Sequence, residues 1–441
     1  VSIKSEFEAD VDDVKGYLAH LVPYGTTVLR WMLISVAVGV PCGCLGAAFH
    51  TGVELAGNLR EAHPWVLCTL PAAGLLAVGI YRLFESEGIS TDSVIDQVRS
   101  GEGLRLKLLP AIFLTTNLTH LVGGSAGREG AALQMGGTIG LGAGRVFKLD
   151  DRDRGTATLA GMAAFFSALF GTPVGATIFS MAVVNVGTIY HAAFMPCLIA
   201  SLSSYGISLC LGVEPTRFAV AMPALDLPMA ARVALLAWLC AMVSVVFCET
   251  LHKTEHAVRT LIVNPWLRAA AGGAVLLALS VAVGTGDYNG AGMDIIVRAV
   301  EQGQAVPFAF VLKIVFTVIT LSAGFKGGEV VPCFFIGATF GCTVGPLLGI
   351  PAGFAAAIGL IALFSASVNC PIASVVLAVE LFGGEGIAFY ALACGLAYLL
   401  SGYTGLYSSQ RIVYDKLKAR RIDVHANAYH EGGFTRHHTG G

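Results

Sequence analysis

Long apolar runs recur from one end of the chain to the other, and they decide the class of fold before any motif is considered. Leu29 to His50, Trp65 to Leu83, Met229 to Phe247, Ala269 to Val283, Phe308 to Ala323, Ala355 to Phe364 and Ile387 to Leu400 are all predominantly apolar. A helix needs roughly 20 such residues to cross the ~30 Å hydrocarbon core of a bilayer. Several of the runs are shorter than that, which predicts broken or half-crossing helices beside full spans. Charged residues are only 13% of the chain, against about 25% in a soluble domain, and mean hydropathy is +0.73. The polar interruptions, Asn58 to Pro64, Glu85 to Lys107, Lys148 to Arg154 and His252 to Arg259, are too short to hold a soluble domain. The sequence therefore specifies an all-α, polytopic membrane protein.

Net charge is −2, which gives no basis for binding nucleic acid. The eleven cysteines are scattered through apolar runs. The spacing of Cys42 and Cys44 fits neither a zinc knuckle nor a redox motif, so they are read as small buried residues. No metal and no cofactor is expected, and His430, His437 and His438 read as a solvated tail. The cluster Lys416, Lys418, Arg420 and Arg421 places the carboxyl-terminal tail in the cytoplasm by the positive-inside rule. Val1 to Val22 is charged and weakly amphipathic through Phe7, Val11, Val14, Leu18 and Leu21, consistent with a helix on the membrane surface. No signal peptide is expected ahead of the first span.

Glycine is unusually common, 54 of 441 residues, against a typical ~7%. Much of it falls in an internal repeat. Gly124 to Gly140 reads GSAGREGAALQMGGTIG, and Gly324 to Gly341 reads GFKGGEVVPCFFIGATFG. Setting Gly140 against Gly341 aligns Gly136 with Gly337 and Gly127 with Gly328. Further on, SALFGTPVGATIFSMAVV from Ser167 matches SASVNCPIASVVLAVE from Ser365, with Pro173 opposite Pro371. Each unit is a Gly-rich turn entering an apolar helix, followed by a helix that begins at proline. Duplicated transporters commonly have inverted halves with the substrate site at the midplane, where broken helices meet. Helix starts there present unpaired N–H groups and a positive dipole end. Two of them aimed at one point would hold a dehydrated anion without a full positive charge.

Glu129, in GREGA, lies at such a helix start, and ionisable residues in membrane spans are usually functional. A salt bridge with Arg128 is the plain alternative, although residues i and i+1 do not face each other on a helix. A carboxylate at an anion site competes with the anion for the same donors. Once protonated it swings aside, so its protonation is coupled to anion occupancy. Glu329, in GGEVVP, sits one position before the repeat partner of Glu129, Val330. It either relays protons or pairs with Lys326. Tyr407, in GLYSSQ near a last helix start, either donates its O–H to an anion or sits at the interface. Ser90, Thr91 and Ser93 offer hydroxyls at another helix start. Glu380 falls opposite Ala182 and reads as structural. No paired acid and base, nucleophile motif or metal spacing supports a membrane-embedded enzyme.

Together, GREG with its Gly-rich helix, GGEVVP, the small–small–Pro helices and YTGLYSSQ resemble the CLC family of anion channels and antiporters over nearly the whole chain. GFKGGEVVPCFFIGATFG and GLYSSQ look most like its fluoride/proton antiporter branch. The resemblance implies a CLC-type inverted repeat of broken, tilted helices and a homodimer with one pore per subunit. The organisation expected is a surface helix over 1–25, a first transmembrane repeat over 26–213, a second, inverted one over 214–408 and a basic tail over 409–441. The regulatory nucleotide-binding domains of some members are not expected. The membrane implied is a bacterial inner membrane. The partners implied are fluoride (or chloride), protons and the lipid bilayer.

By the same resemblance Glu129 matches the gating glutamate, Tyr407 the inner pathway tyrosine and Glu329 the acid associated with proton coupling in the fluoride branch. Anion binding is expected from Gly127, Arg128, Gly328, Val330, Val331, Tyr407, Ser90 and Thr91. The chain also departs from the pattern. Val331 replaces the usual Thr before the proline, and Ser90 or Thr91 stands where the fluoride branch has Met. The inner proton-relaying glutamate of chloride/proton antiporters falls at Val183, and the acid before it at Ala182. Fluoride export coupled to protons is the expected function, with a chloride-type or less selective member as the alternative.

Overall fold

The structure is a computed structural model and describes residues 3–100, 103–418 and 420–427, with side chains from Tyr24 onward. The described chain forms two successive series of helices. The first is α1 (Ile3–Ala62), α2 (Leu70–Leu83), α3 (Thr91–Ser100), α4 (Leu108–Leu121), α5 (Glu129–Val146), α6 (Asp151–Phe170), α7 (Pro173–Val183) and α8 (Phe194–Cys210). The second is α9 (Leu227–Leu261), α10 (Pro265–Val283), α11 (Met293–Glu301), α12 (Ala309–Ala323), α13 (Val330–Val344), α14 (Ala352–Val368), α15 (Pro371–Phe382) and α16 (Ile387–Leu400). Helix for helix, long elements correspond to long and short to short.

Lengths follow the apolar runs. Six helical segments among the described residues are long and apolar enough to cross a membrane, the longest being Tyr24–Ala62 and Leu227–Leu261. Others, such as Pro173–Val183 and Pro371–Phe382, are apolar but too short. At 1.5 Å per residue they end inside the hydrocarbon layer, where irregular backbone is tolerated only if protein or a cavity surrounds it. The outer surface carries Leu29, Leu33, Leu76, Leu235, Val275 and Ile372 exposed, as a lipid-facing surface requires. The helix α1 runs unbroken through the position where a separate surface helix was expected to end. Its amphipathic residues up to Val22 lie outside the described side chains.

The repeat is visible in backbone angles. The helices α6 and α14 both end on a left-handed residue, Gly171 at φ 67° and Asn369 at φ 57°. The next residues, Thr172 (φ −124°, ψ 71°) and Cys370 (φ −124°, ψ 69°), then deliver Pro173 and Pro371 into the first turn of α7 and α15. Side chains repeat as well. Ser167 Oγ donates to Ser201 O at 3.1 Å, tying α6 to α8, and Ser365 Oγ donates to Cys394 O at 2.9 Å, tying α14 to α16.

At the centre, α5 packs on α6 and α13 on α14 through glycines. A Cβ on Gly136 would collide with Gly161 O, and one on Gly140 with Ala157 O. In the second half, Gly337 faces Gly359 O and Gly341 faces Ala355 O in the same way. The halves meet where Gly127 N–H donates to Gly328 O (2.6 Å) and Gly328 N–H to Gly127 O (2.7 Å), an isolated antiparallel bridge. These two glycines are repeat partners. A reciprocal bond between equivalent residues is what a two-fold axis between the halves produces.

The tail is more ordered than a solvated basic segment. Three short strands, β1 (Asn185–Val186), β2 (Arg411–Tyr414) and β3 (Arg421–His425), form a sheet in that order, β1 parallel to β2 and β2 antiparallel to β3. Lys416, one of the basic cluster expected in a cytoplasmic tail, donates to Asn369 Oδ1 (2.5 Å), Tyr398 O (2.9 Å) and Ser401 Oγ (3.1 Å). Its ammonium thereby meets the negative end of α16 and the side chain of the residue that caps α14. The histidines at 430, 437 and 438 lie outside the described residues.

Because the helix crossings leave no room for a Cβ, Gly140→Val or Gly341→Val should cost about 1–3 kcal/mol, the usual penalty for overpacking. The expected readout is a lower thermal midpoint and less monodisperse protein in detergent; an unchanged melting profile would contradict the packing.

Candidate functional site

Three helix starts converge near the central bridge. The residues that precede α5 and α13, Arg128 (φ −114°, ψ −6°) and Glu329 (φ −96°, ψ −14°), sit at equivalent positions, and neither side chain caps its own helix. The first N–H groups of both helices are therefore left for another acceptor. One acceptor is the carboxylate of Glu129. It is fully buried, and its Oε2 accepts from Val331 N–H at 3.1 Å, across the interface between the halves. Its Oε1 has no hydrogen-bond partner among the described residues. The glycines explain how it fits. A Cβ on Gly127 would strike Glu129 Oε2, and one on Gly328 would lie 3.1 Å from Oε2 and 2.9 Å from Glu129 N. The carboxylate thus fills an anion-sized slot walled by Gly127 and Gly328 at the positive end of α13.

Next to this slot lies a cavity of about 410 Å³ whose lining includes Ser90, Thr91, Gln134, Lys326, Glu329 and Tyr407. Gln134 Nε2 donates to Thr91 Oγ1 at 3.2 Å, joining the start of α3 to α5. The Tyr407 ring is buried, and its hydroxyl has no partner among the described residues; neither has Glu329 Oε2. Free hydroxyl and carboxyl groups thus face one another across a space able to hold water or a small ion.

The segment carrying Tyr407 is locked to α3. Ser409 N–H donates to Asp92 Oδ1 (2.8 Å), Ser409 Oγ to Asp96 Oδ2 (2.7 Å), and Arg99 donates to Ser409 O. Gln410, fully buried, donates to Val183 O (3.0 Å) and Val368 O (2.8 Å), closing the ends of α7 and α14.

The expected site residues are therefore divided. Ser90, Thr91, Glu329 and Tyr407 share the cavity, and Gly127, Gly328 and Val331 frame Glu129. Val330 is buried in the first turn of α13. Arg128 departs from expectation, because its guanidinium turns away from Glu129. It bonds to His50 Nδ1 (2.7 Å) and Leu169 O (3.4 Å), and His50 Nε2 stands 3.8 Å from Glu54. Adjacent residues on a helix point apart, so the Arg128–Glu129 pair does not form. The pairing of Lys326 with Glu329 is absent too among the described residues. Lys326 Nζ lies over the Tyr81 ring, 4.3 Å from its centre. Tyr407 precedes a turn and β2, not the helix start expected there.

Glu380 accepts from Val174 N–H (3.0 Å) and Gly175 N–H (2.7 Å), so it caps α7 from the other half of the molecule. Residues that the sequence did not single out include Gln134, Asp92 and His252. The last belongs to the stretch His252 to Arg259, read as a polar interruption but lying wholly inside α9. The spacing of His252 and His256, four residues apart beside Glu255, was the available signal for one polar helix face.

Residues 73–402 match the family of voltage-gated chloride channels. The chain belongs to the CLC family. A chloride/fluoride channel protein of Pseudomonas syringae pv. tomato is 34% identical over 406 residues, covering 90% of this chain and 89% of its own. The crystal structure of a CLC-type fluoride/proton antiporter superposes with a TM-score of 0.83 at 30% identity, covering 87% of this chain and 98% of that one. The H(+)/Cl(-) exchange transporter ClcA of Vibrio vulnificus is 25% identical over 412 residues, covering 84% of this chain and 85% of its own. This CLC chain is accordingly a multi-pass membrane protein with the inverted-repeat architecture of its family, and a member of a family of ion-transport proteins.

Within the CLC fold, the Glu380 contact is a stability device. Hydrogen bonds to a charged group are worth about 1.5–3 kcal/mol, so Glu380→Ala should destabilise by about that much. A thermal midpoint in detergent equal to that of the unsubstituted protein would refute it.

Proposed function

We propose that this CLC protein exchanges fluoride for protons across the membrane, exporting the anion against inward proton movement, with Glu129 as the gate. One observation carries the reading: a buried carboxylate occupies the Val331 N–H at the start of α13 with its second oxygen unpartnered. Ionised, Glu129 blocks the slot, because its charge is held by the helix dipole and the Val331 N–H. Protonated, it loses the charge-assisted part of that bond and gives up the donors. An anion then takes the N–H groups of Val330 and Val331 at the start of α13, in the slot walled by Gly127 and Gly328. Proton and anion thus alternate at one place, which couples their movements.

Glu329 is the second acid of the mechanism. It lines the cavity with a free oxygen, and Val183, at the end of α7, has no proton to relay. Tyr407 and the hydroxyls of Ser90 and Thr91 supply donors from the cavity side. Fluoride is supported by the relatives described as fluoride-handling and by its strength as a hydrogen-bond acceptor, which suits a cradle of N–H and O–H groups. The proposal includes a homodimer with one pore per subunit, placed in a bacterial plasma membrane with the tail cytoplasmic. Chloride is the second reading, favoured by Val331 at the slot and by the Ser90 hydroxyl on the cavity wall.

Efflux from proteoliposomes loaded with fluoride or chloride, with pH recorded, separates these readings. Fluoride efflux accompanied by proton uptake is expected, and faster chloride efflux would replace it with the second reading. Glu129→Gln should abolish proton coupling, and persistence of normal proton uptake in that variant would remove Glu129 from the gate. Glu329→Gln should leave anion movement measurable while lowering the number of protons moved per fluoride. Full coupling in this variant would return Glu329 to a structural role.

A further inference from the structure

The cavity beside Glu329 has a wall that the transport scheme above does not use, the last turns of α9. His256 is exposed there, and one turn deeper His252 is half-buried on the cavity surface. His252 Nε2 lies 2.9 Å from Gly405 O. A carbonyl only accepts, so Nε2 carries the hydrogen and Nδ1 is the nitrogen with a free lone pair. No hydrogen bond to Nδ1 occurs among the described residues. Gly405 lies two positions before Tyr407, so the imidazole is held in orientation by the same loop that carries the pathway tyrosine.

Other charged groups face this space, and most are committed. Asp92, at the start of α3, accepts from Ser409 N–H. On α9 itself Glu255 pairs with Arg259 at 2.5 Å. Lys326 stacks on Tyr81. The remaining three are His256, which is exposed, and Glu329 and Tyr407, the proposed coupling acid and the neutral phenol. His252 is therefore the cavity group that combines a free basic nitrogen, a fixed ring and a half-buried position. The Asp92 carboxylate is within electrostatic reach and partly neutralises a transient imidazolium.

We propose that His252 carries protons from Glu329 to the water on the membrane face that bears the tail. The carboxyl proton of Glu329 passes, through water in the cavity, to the free Nδ1 of His252, while Nε2–H stays on Gly405 O. A base in the water at that face then takes the Nδ1–H proton, and the imidazole returns to its neutral form. A cavity of about 410 Å³ lined by polar groups accommodates such water. The step rests on Glu329 as the coupling acid and adds the group that discharges it. Imidazole suits the task because one ring nitrogen can take up a proton while the other keeps its hydrogen bond.

The test compares His252→Gln with His252→Ala in proteoliposomes, with fluoride and proton fluxes recorded together. Glutamine retains an N–H donor for Gly405 O but cannot carry a proton at neutral pH. Fluoride-driven proton uptake should fall about tenfold in His252→Gln, the low end of what a proton-transfer group contributes. The proton-to-fluoride ratio should stay unchanged, and free imidazole added to both compartments should restore the rate. Wild-type flux in His252→Gln, or a slow flux that imidazole does not restore, overturns the proposal and leaves His252 as a strut for the Tyr407 loop. Fluoride efflux without proton movement in the unsubstituted protein would overturn the coupling scheme itself, and this step with it.

Discussion

Everything at the centre of this protein depends on two glycines approaching closely enough to exchange backbone hydrogen bonds. Gly127 and Gly328 each donate to the other, and that contact is possible only because neither carries a side chain. It fixes the starts of α5 and α13 against one another, and it leaves a gap one carboxylate wide between them. Any Cβ at either position would enter that gap. The glycines in α5 and α13 extend the same logic outward, letting α6 and α14 approach until backbone atoms nearly touch. In a bilayer, where apolar helices gain little from leaving lipid, such close packing is the main source of cohesion.

The cations are arranged to keep full charge away from that gap. Arg128 is spent on His50 and Leu169 O, and Lys326 on the Tyr81 ring. Lys313, fully buried, donates to Gly290 O (2.7 Å) and Tyr288 O (3.3 Å) and lies over the Phe335 ring. An ammonium or guanidinium inside a dehydrated slot would hold an anion too firmly to release it. Backbone N–H groups offer partial charges that bind and let go, the balance conduction requires. The same device recurs structurally, since Glu380 occupies the start of α7 as Glu129 occupies that of α13.

The fold was legible in the sequence wherever a feature occurs twice. Gly136 with Gly337, Gly140 with Gly341 and Pro173 with Pro371 stand at equivalent places because each answers a local steric demand that both copies share. Glu129 was legible because an acid in an apolar run has few bland explanations. What the sequence hid is pairing between distant segments. Nothing in Lys416 marks it as a helix-end cap, because the carbonyl it meets, Tyr398 O, comes from α16 and the asparagine follows the end of α14. The His252 to Arg259 stretch read as a break because its charges outweigh its helical periodicity, although α9 continues through it. The direction of the Arg128 side chain was also beyond reach, since it depends on where α1 places His50.

A duplicated backbone supplies two equivalent helix caps, and the side chains then make them unequal. Arg128 and Glu329 occupy the same position in their repeats with similar backbone angles. In an inverted repeat they belong to opposite faces of the membrane. Arg128 leads outward to His50 and Glu54, whereas Glu329 opens on the cavity bounded by α9 and the Tyr407 loop. A symmetric pair of caps would present the same electrostatic environment to both sides of the central slot. With an arginine bonded to His50 on one side and an acid with a free oxygen on the other, the two approaches differ in kind. The asymmetry is thus written in the substitution of one residue type at one repeated position, on a scaffold whose symmetry provides the slot itself.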